Sequence, residues 1–373
     1  MRILYYFLEK YTPMYQWQRV HIIDELQRHG CEVKCVNPLA FTTPEEANES
    51  LLRTIGNESI DLFFTNVCYQ KELFKSTIQR IKAKGIPTLC LRCDNLVIPY
   101  NDKKLSPSFD LVWLTSKETR YLYDKWGAKT IFAPYASNPY LFKYNEPITM
   151  EKTVVFIGTP YGSRSVMMNS LIRKNIKLDL YYKKGSVVNM SGASNNAVLR
   201  KPLQVGLFNV IAHRLLFEPG RKVLWGAFVN RVSGQEQIIE SQYLRSFPSV
   251  LPSEQSSIYS KYALALASTS TNHTDILKKP LKIINLRNFE IPMSGGIEIC
   301  KYNPELAEYF EDGKEIVFYK NNEELVDKAR YYTQKAKDSE LLSIKRAARL
   351  RAENEHTWWN RFKIAFDSLG IKY

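Results

Sequence analysis

The feature that most constrains this chain is a regular alternation of short apolar runs with amphipathic segments that end at glycine. An apolar run at Arg2–Leu8 precedes a helical stripe over residues 17–29, which Gly30 closes. Glycine commonly follows the last turn of a helix. A second run, Val33–Val36, completes a strand–helix–strand unit. Because parallel strands need a crossover helix between them, the alternation predicts an α/β protein with a parallel sheet covered on both faces.

The unit recurs as far as residue 133 and then restarts. Pro139 and Pro147 punctuate a polar stretch between the two series, which indicates a boundary. With 373 residues and about 150 residues per domain as a prior, the chain has room for two domains. We predict a first α/β domain at residues 1–145, a second at 146–340, and C-terminal helices at 341–373.

The second series is interrupted between Lys184 and Ser246. Residues 186–196 are polar and contain glycine, whereas residues 203–217 are densely apolar. Neither segment continues the alternation of strands and helices that precedes and follows it. We therefore predict an insertion over about residues 186–245.

Most of the excess positive charge lies in one window. The chain has 52 Lys and Arg against 38 Asp and Glu, a net charge of +14. Residues 164–231 hold 12 basic and 2 acidic side chains, which is a net charge of +10. Cations beside apolar residues suit anionic lipid headgroups. The window predicts membrane contact through residues 186–231, or a lipid-linked or otherwise anionic acceptor. A buried subdomain or a dimer contact with a solvated basic rim is the alternative.

Several classes of protein are disfavoured. No apolar run approaches the ~18 residues that cross a bilayer, and the first eight residues lack the features of a secretory signal. No nucleic-acid reading motif accompanies the charge, so nucleic-acid binding ranks last. Cys90 and Cys93 form a C-x-x-C with no second pair nearby, and the five histidines show no ligand spacing. We expect a cytoplasmic, reduced protein without a metal site.

Two loops follow predicted strands at positions where α/β proteins bind ligands. Residues 158–162 begin and end with glycine directly after a strand, and backbone N–H groups of such a loop can bind phosphate. A tight strand-to-helix turn is the alternative. Asp94 also ends a strand and could orient or deprotonate an acceptor hydroxyl, or it could cap the following turn. By the same topology, residues 11–16 should line the acceptor side.

A longer pattern begins at residue 281. Arg287-x-Phe289-Glu290 is followed by a small residue and glycine, a strand, a Pro-Glu-Leu segment, and a second strand after Asp-Gly-Lys-Glu. In this order the features resemble the donor-binding half of GT-B glycosyltransferases, and specifically the CgeB-like spore-maturation proteins related to glycosyltransferase family 4. The resemblance covers most of residues 151–185 and 246–365, and it is fainter over residues 1–140.

The resemblance implies two Rossmann-like domains facing across a cleft, with C-terminal helices that return to the first domain. It also implies transfer of a sugar from a nucleoside-diphosphate sugar. Glu290 matches the family's ribose-binding glutamate, and a carboxylate can accept hydrogen bonds from both ribose hydroxyls. Lys282 stands where the family has the first of its paired glutamates, so the role of that residue does not carry over. Lys282 is alternatively a solvated helix residue.

The diphosphate of such a donor requires cations and N–H donors. The candidates are Arg164 and Arg287, either of which could instead form a surface salt bridge. The backbone N–H groups expected to assist them belong to Gly158, Thr159, Gly295 and Gly296. No Asp-x-Asp occurs in the chain, which agrees with a metal-independent reaction and no cofactor beyond the donor substrate.

Kinship with family 4 favours retention of anomeric configuration and a role in surface polysaccharide or glycoconjugate assembly. The donor sugar, its base and the acceptor stay open. A nucleotide-sugar epimerase is one alternative, because it also grips a nucleoside diphosphate between two such domains. A catalytically inactive GT-B protein with a binding or structural role is the other. Glu290 and Arg287 argue against this second alternative, whereas Lys282 keeps it open.

Overall fold

A computed structural model describes residues 1–10, 17–96, 98–183, 199–202, 206–234, 236–271 and 273–373. The chain forms two compact units. The first contains Met1–Pro134, Trp358–Tyr373 and the described part of residues 189–221. The second contains the remaining described residues between 135 and 357. The predicted α/β class is confirmed, because each unit is built on a parallel sheet of six strands.

The strands of the first sheet are β1 (Arg2–Tyr6), β2 (Glu32–Val36), β3 (Leu62–Thr65), β4 (Thr88–Arg92), β5 (Leu111–Leu114) and β6 (Thr130–Phe132). They lie in the order β2-β1-β3-β4-β5-β6, and every neighbouring pair is parallel. The helices of this unit are Asp24–Arg28, Pro44–Asn57, Lys75–Lys82, Arg120–Lys125, Leu207–Leu215 and Trp358–Leu369. Thr43 starts the longest of these, because its hydroxyl accepts a hydrogen bond from the Glu46 N–H.

The strands of the second sheet are β7 (Glu151–Ile157), β8 (Leu178–Lys183), β9 (Leu244–Pro248), β10 (Tyr262–Leu266), β11 (Glu298–Lys301) and β12 (Val317–Tyr319). They lie in the order β12-β11-β10-β7-β8-β9, again with parallel neighbours throughout. The helices of this unit are Ser163–Ile172, Pro252–Lys261, Arg287–Met293, Asn322–Arg330 and Asp338–Glu355. A separate apolar core lies under each sheet.

Each sheet has one point at which the direction of strand addition reverses. The first reverses between β1 and β3, and the second between β7 and β10. In open parallel sheets ligands bind at such points, outside the carboxyl ends of the strands. The topology therefore directs attention to the loops that follow β7 and β10.

The predicted C-terminal segment 341–373 divides between the two units. Trp358 and Phe362 pack on Trp113 of the first unit, with ring centroids 6.0 and 5.5 Å apart. The preceding helix, Asp338–Glu355, belongs to the second unit because Leu341 and Ile344 enter its core. Only the last helix and the residues after it therefore return to the first unit, and the predicted boundary at 341 lies too early.

The predicted insertion also ends earlier than expected. Leu244–Pro248 forms β9 and pairs in parallel with β8, so these residues belong to the sheet. Arg245 forms an ion pair with buried Asp179, and this polar contact helps to hold β9 on the sheet. Because the strand contains a charged residue, a pattern of apolar runs does not predict it. Within the parts of the insertion that the structure describes, two helices occur, Leu207–Leu215 and Glu218–Ser233, and the division between units falls inside the second.

Candidate active site

The glycine loop after β7 lies in the second unit, at the reversal point. Gly158 has φ of +138°, and the loop leads into the helix Ser163–Ile172. The guanidinium of Arg287 lies directly against Gly158: a β-carbon added there would come within 3.0 Å of its Nη1 atom. A side chain at residue 158 would therefore occupy the space that Arg287 uses.

Arg164 lies in the first turn of that helix and reaches back over the same loop. Its Nη1 donates to the carbonyl oxygen of Thr159 at 3.1 Å, and its guanidinium carbon lies 4.3 Å from the ring centroid of Tyr161. Burial lowers the pKa of Arg164, and the positive charge of Arg287 lowers it further. Two guanidinium groups thus lie close enough to repel each other.

Neither arginine forms a salt bridge with a carboxylate among the residues that the structure describes. The alternative given for each arginine, a surface salt bridge, is therefore not observed within those residues. Two neighbouring cations without a salt bridge favour binding of an anion with at least two negative charges. A diphosphate fits this requirement.

The helix Arg287–Met293 carries the second half of the motif. The side chain of Asn285 accepts a hydrogen bond from the Arg287 N–H at 3.0 Å, and its amide nitrogen donates to the Ser268 carbonyl oxygen at 2.8 Å. Asn285 thereby ties the start of this helix to the end of β10. Arg287 is placed beside the glycine loop because β10 and β7 are neighbours in the sheet.

Glu290 follows Arg287 by three residues, which puts the two side chains on one face of the helix. Burial raises the pKa of Glu290 to about 7, while the Arg287 charge works in the opposite direction. Among the described residues, none donates a hydrogen bond to its carboxylate. Its oxygens are available to accept hydrogen bonds from a ligand diol.

The backbone donors differ from the prediction. The N–H of Gly158 donates to the Tyr181 carbonyl oxygen at 3.2 Å. The N–H groups of Gly295 and Gly296 donate to carbonyl oxygens of their own helix, at 2.8 and 2.9 Å. These three amides are therefore already used inside the chain. Thr159 stays as the backbone candidate.

Gly295 and Gly296 have a packing role instead. A β-carbon on Gly295 would lie 2.2 Å from the ring of Tyr144, and one on Gly296 would lie 2.9 Å from Ile291. Lys345 reinforces this turn, because its buried ammonium donates to the carbonyl oxygens of Gly295 and Tyr262 at 3.3 and 2.7 Å. Burial lowers the pKa of Lys345 to about 7.

Lys282 does not lie on a helix, so its predicted alternative as a solvated helix residue is wrong. It pairs with Ser270 in an isolated antiparallel bridge. Its Nζ donates to the Tyr302 carbonyl oxygen at 2.8 Å and lies 5.5 Å from the Tyr302 ring centroid. Burial and the charge of Lys301 lower its pKa.

Asp94 lies in the first unit, in a turn directly after β4. It is exposed and has a left-handed backbone with φ of +53°. It follows β4 rather than β1 or β3, the strands at the reversal point of that sheet. The predicted acceptor loop at residues 11–16 lies outside the described residues.

The sequence-based prediction missed a polar cluster on the loop after β10. Ser163 donates a hydrogen bond to Asp275, and the His273 ring meets the Tyr161 ring edge-on at a centroid distance of 5.9 Å. Asp275 Oδ1 and His273 Nδ1 are buried and have no hydrogen-bond partner among the described residues. The charge of Asp275 raises the pKa of Arg164. His273 and Asp275 belong to no sequence motif. Their position directly after β10, a strand at the reversal point, could have indicated that they lie near the site.

Comparisons with known proteins give a family match and several proteins of similar fold. Residues 216–367 match a family model described as glycosyl transferase-like. The fold is similar to that of Anabaena HepE in complex with UDP and glucose, at 11% identity over 99% of each chain with a TM-score of 0.56. It is also similar to sucrose-phosphate synthase from Thermosynechococcus elongatus, at 11% identity over 99% of each chain with a TM-score of 0.57.

A third structure is an alpha-glucosyltransferase in complex with UDP and a 13-mer DNA. It shares 11% identity over 99% of this chain and 100% of that chain, with a TM-score of 0.60. Comparison with curated proteins gives no match. The predicted resemblance to GT-B glycosyltransferases is confirmed. The narrower kinship with CgeB-like proteins stays a prediction.

Proposed function

We propose that this chain, a glycosyltransferase with the GT-B fold, transfers a sugar from a nucleoside-diphosphate sugar to a hydroxyl acceptor without a metal ion. The observation that carries the proposal is the pair of guanidinium groups, Arg164 and Arg287, held over the glycine loop at the reversal point of the second sheet. These two cations form no salt bridge among the described residues and can therefore bind a diphosphate.

The proposed mechanism assigns a separate task to each side chain. Cleavage of the bond between sugar and diphosphate leaves an additional negative charge on the diphosphate. Arg164 and Arg287 stabilise this charge as it develops, which lowers the barrier more than it strengthens substrate binding. Glu290 accepts hydrogen bonds from the ribose hydroxyls and thereby fixes the nucleotide.

Arginine supplies the positive charge that a divalent ion supplies in other glycosyltransferases. A guanidinium binds phosphate oxygens in a bidentate manner and stays protonated at any physiological pH. The proposal of metal independence rests on these two cations.

We assign a uridine diphosphate sugar as the donor. HepE and the alpha-glucosyltransferase were solved with UDP, and both share this fold. On the acceptor side, Asp94 is exposed at the carboxyl edge of the first sheet, where it could accept the proton of the attacking hydroxyl. We assign the acceptor to a glycan or lipid-linked carrier at the cytoplasmic face of a membrane, in surface polysaccharide or glycoconjugate assembly.

Within the described residues, no helix has both the length and the apolar character needed to cross a bilayer.

Lys282 favours a second candidate, a GT-B protein that binds a nucleotide without transferring sugar. Lys282 stands at the position of a glutamate in the family pattern, and its ammonium donates to the carbonyl oxygen of Tyr302. The two candidates differ in turnover and agree in nucleotide binding.

A donor screen separates them. The protein is incubated with UDP- and GDP-linked sugars in the presence of EDTA, thermal shift reports binding, and mass spectrometry reports released nucleotide. Transfer predicts a thermal shift with one donor together with release of its nucleoside diphosphate. The variant Glu290→Ala should lose the shift. A thermal shift without nucleotide release over many hours favours the binding protein. The absence of a thermal shift with every donor would contradict both candidate functions.

A further inference from the structure

The helix Leu207–Leu215 has no buried residue, although most of its side chains are apolar. Leu207 and Phe208 are 76% and 82% exposed. Ile211 and Leu215 follow at helical spacing and are also exposed, as is Leu216 directly after the helix. A soluble protein rarely leaves so many large apolar side chains together without a partner.

Its connections hold this helix on the first unit. The N–H of Arg200 donates to the Leu39 carbonyl oxygen at 2.9 Å, and its guanidinium pairs with the buried carboxylate of Glu72. The His213 ring stacks on the Tyr100 ring at a centroid distance of 5.6 Å, and Phe217 is buried in the first core. The apolar side chains are therefore left uncovered on a helix that is anchored.

These anchors identify which part of the unit bears the helix. Leu39 follows β2, Glu72 follows β3 and Tyr100 follows β4. All three positions belong to the carboxyl edge of the first sheet, where the acceptor of the proposed reaction should bind. The exposed helix and the acceptor edge thus belong to one structural unit.

Charge decides between the partners that an apolar surface could take. Apart from Arg200, which pairs with Glu72, residues 199–202 and 206–221 contain three Lys and Arg and one Glu. Two copies of this surface would bring like charges together, which opposes self-association. A bilayer with anionic headgroups offers opposite charge to the cations and an apolar interior to the Leu, Ile and Phe side chains.

We propose that the helix Leu207–Leu215 is a membrane-docking surface that inserts apolar side chains into an anionic lipid monolayer, and that the acceptor is lipid-borne. This inference rests on the proposed function for its reference to an acceptor. The docking itself is independent of nucleotide binding and can be tested alone.

The test is flotation of the full chain with vesicles of phosphatidylcholine alone or mixed with phosphatidylglycerol. We expect flotation with the mixed vesicles, weakened by high salt, and none with phosphatidylcholine alone. The double variant Leu207→Ser/Phe208→Ser should bind at least about tenfold more weakly, because it removes inserted apolar area. Leu350→Ser is the matched control, since Leu350 is an exposed helical leucine of the second unit. It should float like the unaltered chain.

A second readout reports insertion. The substitution Phe208→Trp puts a fluorophore on this helix, so brominated lipids should quench the fluorescence of this variant more than that of the unaltered chain. Absence of flotation with anionic vesicles at low salt would overturn the proposal. Unchanged flotation of the Leu207→Ser/Phe208→Ser variant would also overturn it. So would concentration-dependent dimerisation that this variant abolishes, because a second copy would then cover the surface. Retained UDP-induced thermal shifts in the variant distinguish failure of docking from failure of donor binding.

Discussion

The guanidinium of Arg287 lies so close to Gly158 that a β-carbon on residue 158 would come within 3.0 Å of Nη1. The substitution Gly158→Ala should therefore displace Arg287 from the loop, because the atoms in its way end a flexible side chain. It also strains the backbone, since residue 158 has φ of +138°. We expect UDP affinity to fall about tenfold, the value of one hydrogen bond to a charged group. Calorimetric titration measures it.

Gly313→Ala is the control for backbone strain. Gly313 also has positive φ, at +76°, but a β-carbon there meets nothing within 4 Å. The Gly313→Ala substitution should lower the melting temperature without altering UDP affinity. Equal UDP binding by the Gly158→Ala variant and the unaltered chain would contradict the placement of Arg287 in the anion site.

Asp275 should weaken donor binding rather than support it. Its charge acts on Arg164, and one of its oxygens is buried without a hydrogen-bond partner among the described residues. Asp275→Asn removes a negative charge that repels a diphosphate and keeps an acceptor oxygen for Ser163. We expect UDP to bind ~3-fold more tightly.

Exposed Asp327→Asn provides the comparison for a charge change elsewhere and should leave UDP affinity unaltered. Weaker UDP binding by the Asp275→Asn variant would show instead that the carboxylate orients Arg164.

Glu290 should make donor binding depend on pH near neutrality. Because burial raises its pKa to about 7, the carboxylate ionises as pH rises from 6 to 8. The ionised form accepts hydrogen bonds from both ribose hydroxyls, so UDP affinity should increase over this range. Glu290→Gln should flatten that dependence, which titrations at several pH values measure.

The same shift predicts the opposite trend in stability. The folded chain keeps the Glu290 proton up to about pH 7, whereas an unfolded chain releases it near pH 4.5. The native state therefore binds more protons between these values, and the Glu290 contribution to stability falls as pH rises. Glu290→Gln should raise the melting temperature more at pH 8 than at pH 5. An equal effect at both pH values would contradict the burial of this group.

Metal removal should have no effect on nucleotide release. In the proposed mechanism Arg164 and Arg287 supply the charge that stabilises the departing diphosphate. Treatment with EDTA should leave the rate within about twofold of the untreated enzyme. A loss of activity that added Mn²⁺ or Mg²⁺ restores would contradict the metal-independent mechanism.

Local periodicity was sufficient to predict the two α/β series, and one motif identified Arg287 and Glu290. Both signals are contiguous in sequence. The strand Leu244–Pro248 was missed because its identity depends on pairing with β8 and on the Arg245 contact with Asp179, residues far apart in the chain.

The sequence also failed to predict parts of the site that depend on contacts formed only in the folded chain. Asp275 meets Ser163 only because β10 and β7 are neighbours in the sheet. The amides of Gly295 and Gly296 looked available until their intrahelical hydrogen bonds were known. Lys345 counts as a surface charge in the sequence, yet it is buried among carbonyl oxygens.

The most direct test of the central claim compares UDP with uridine. Arg164 and Arg287 are assigned to the diphosphate, so Arg287→Met should weaken UDP binding at least about tenfold. Uridine binding should weaken much less, because the loss of the Arg287 charge reaches uridine only through a higher pKa of Glu290. Exposed Arg173→Met, at the end of the helix that carries Arg164, is the matched control and should bind both ligands normally. Calorimetric titration of the three proteins with both ligands gives the answer. Equal affinity of the Arg287→Met variant and the unaltered chain for UDP would contradict the assignment of this loop to the donor diphosphate.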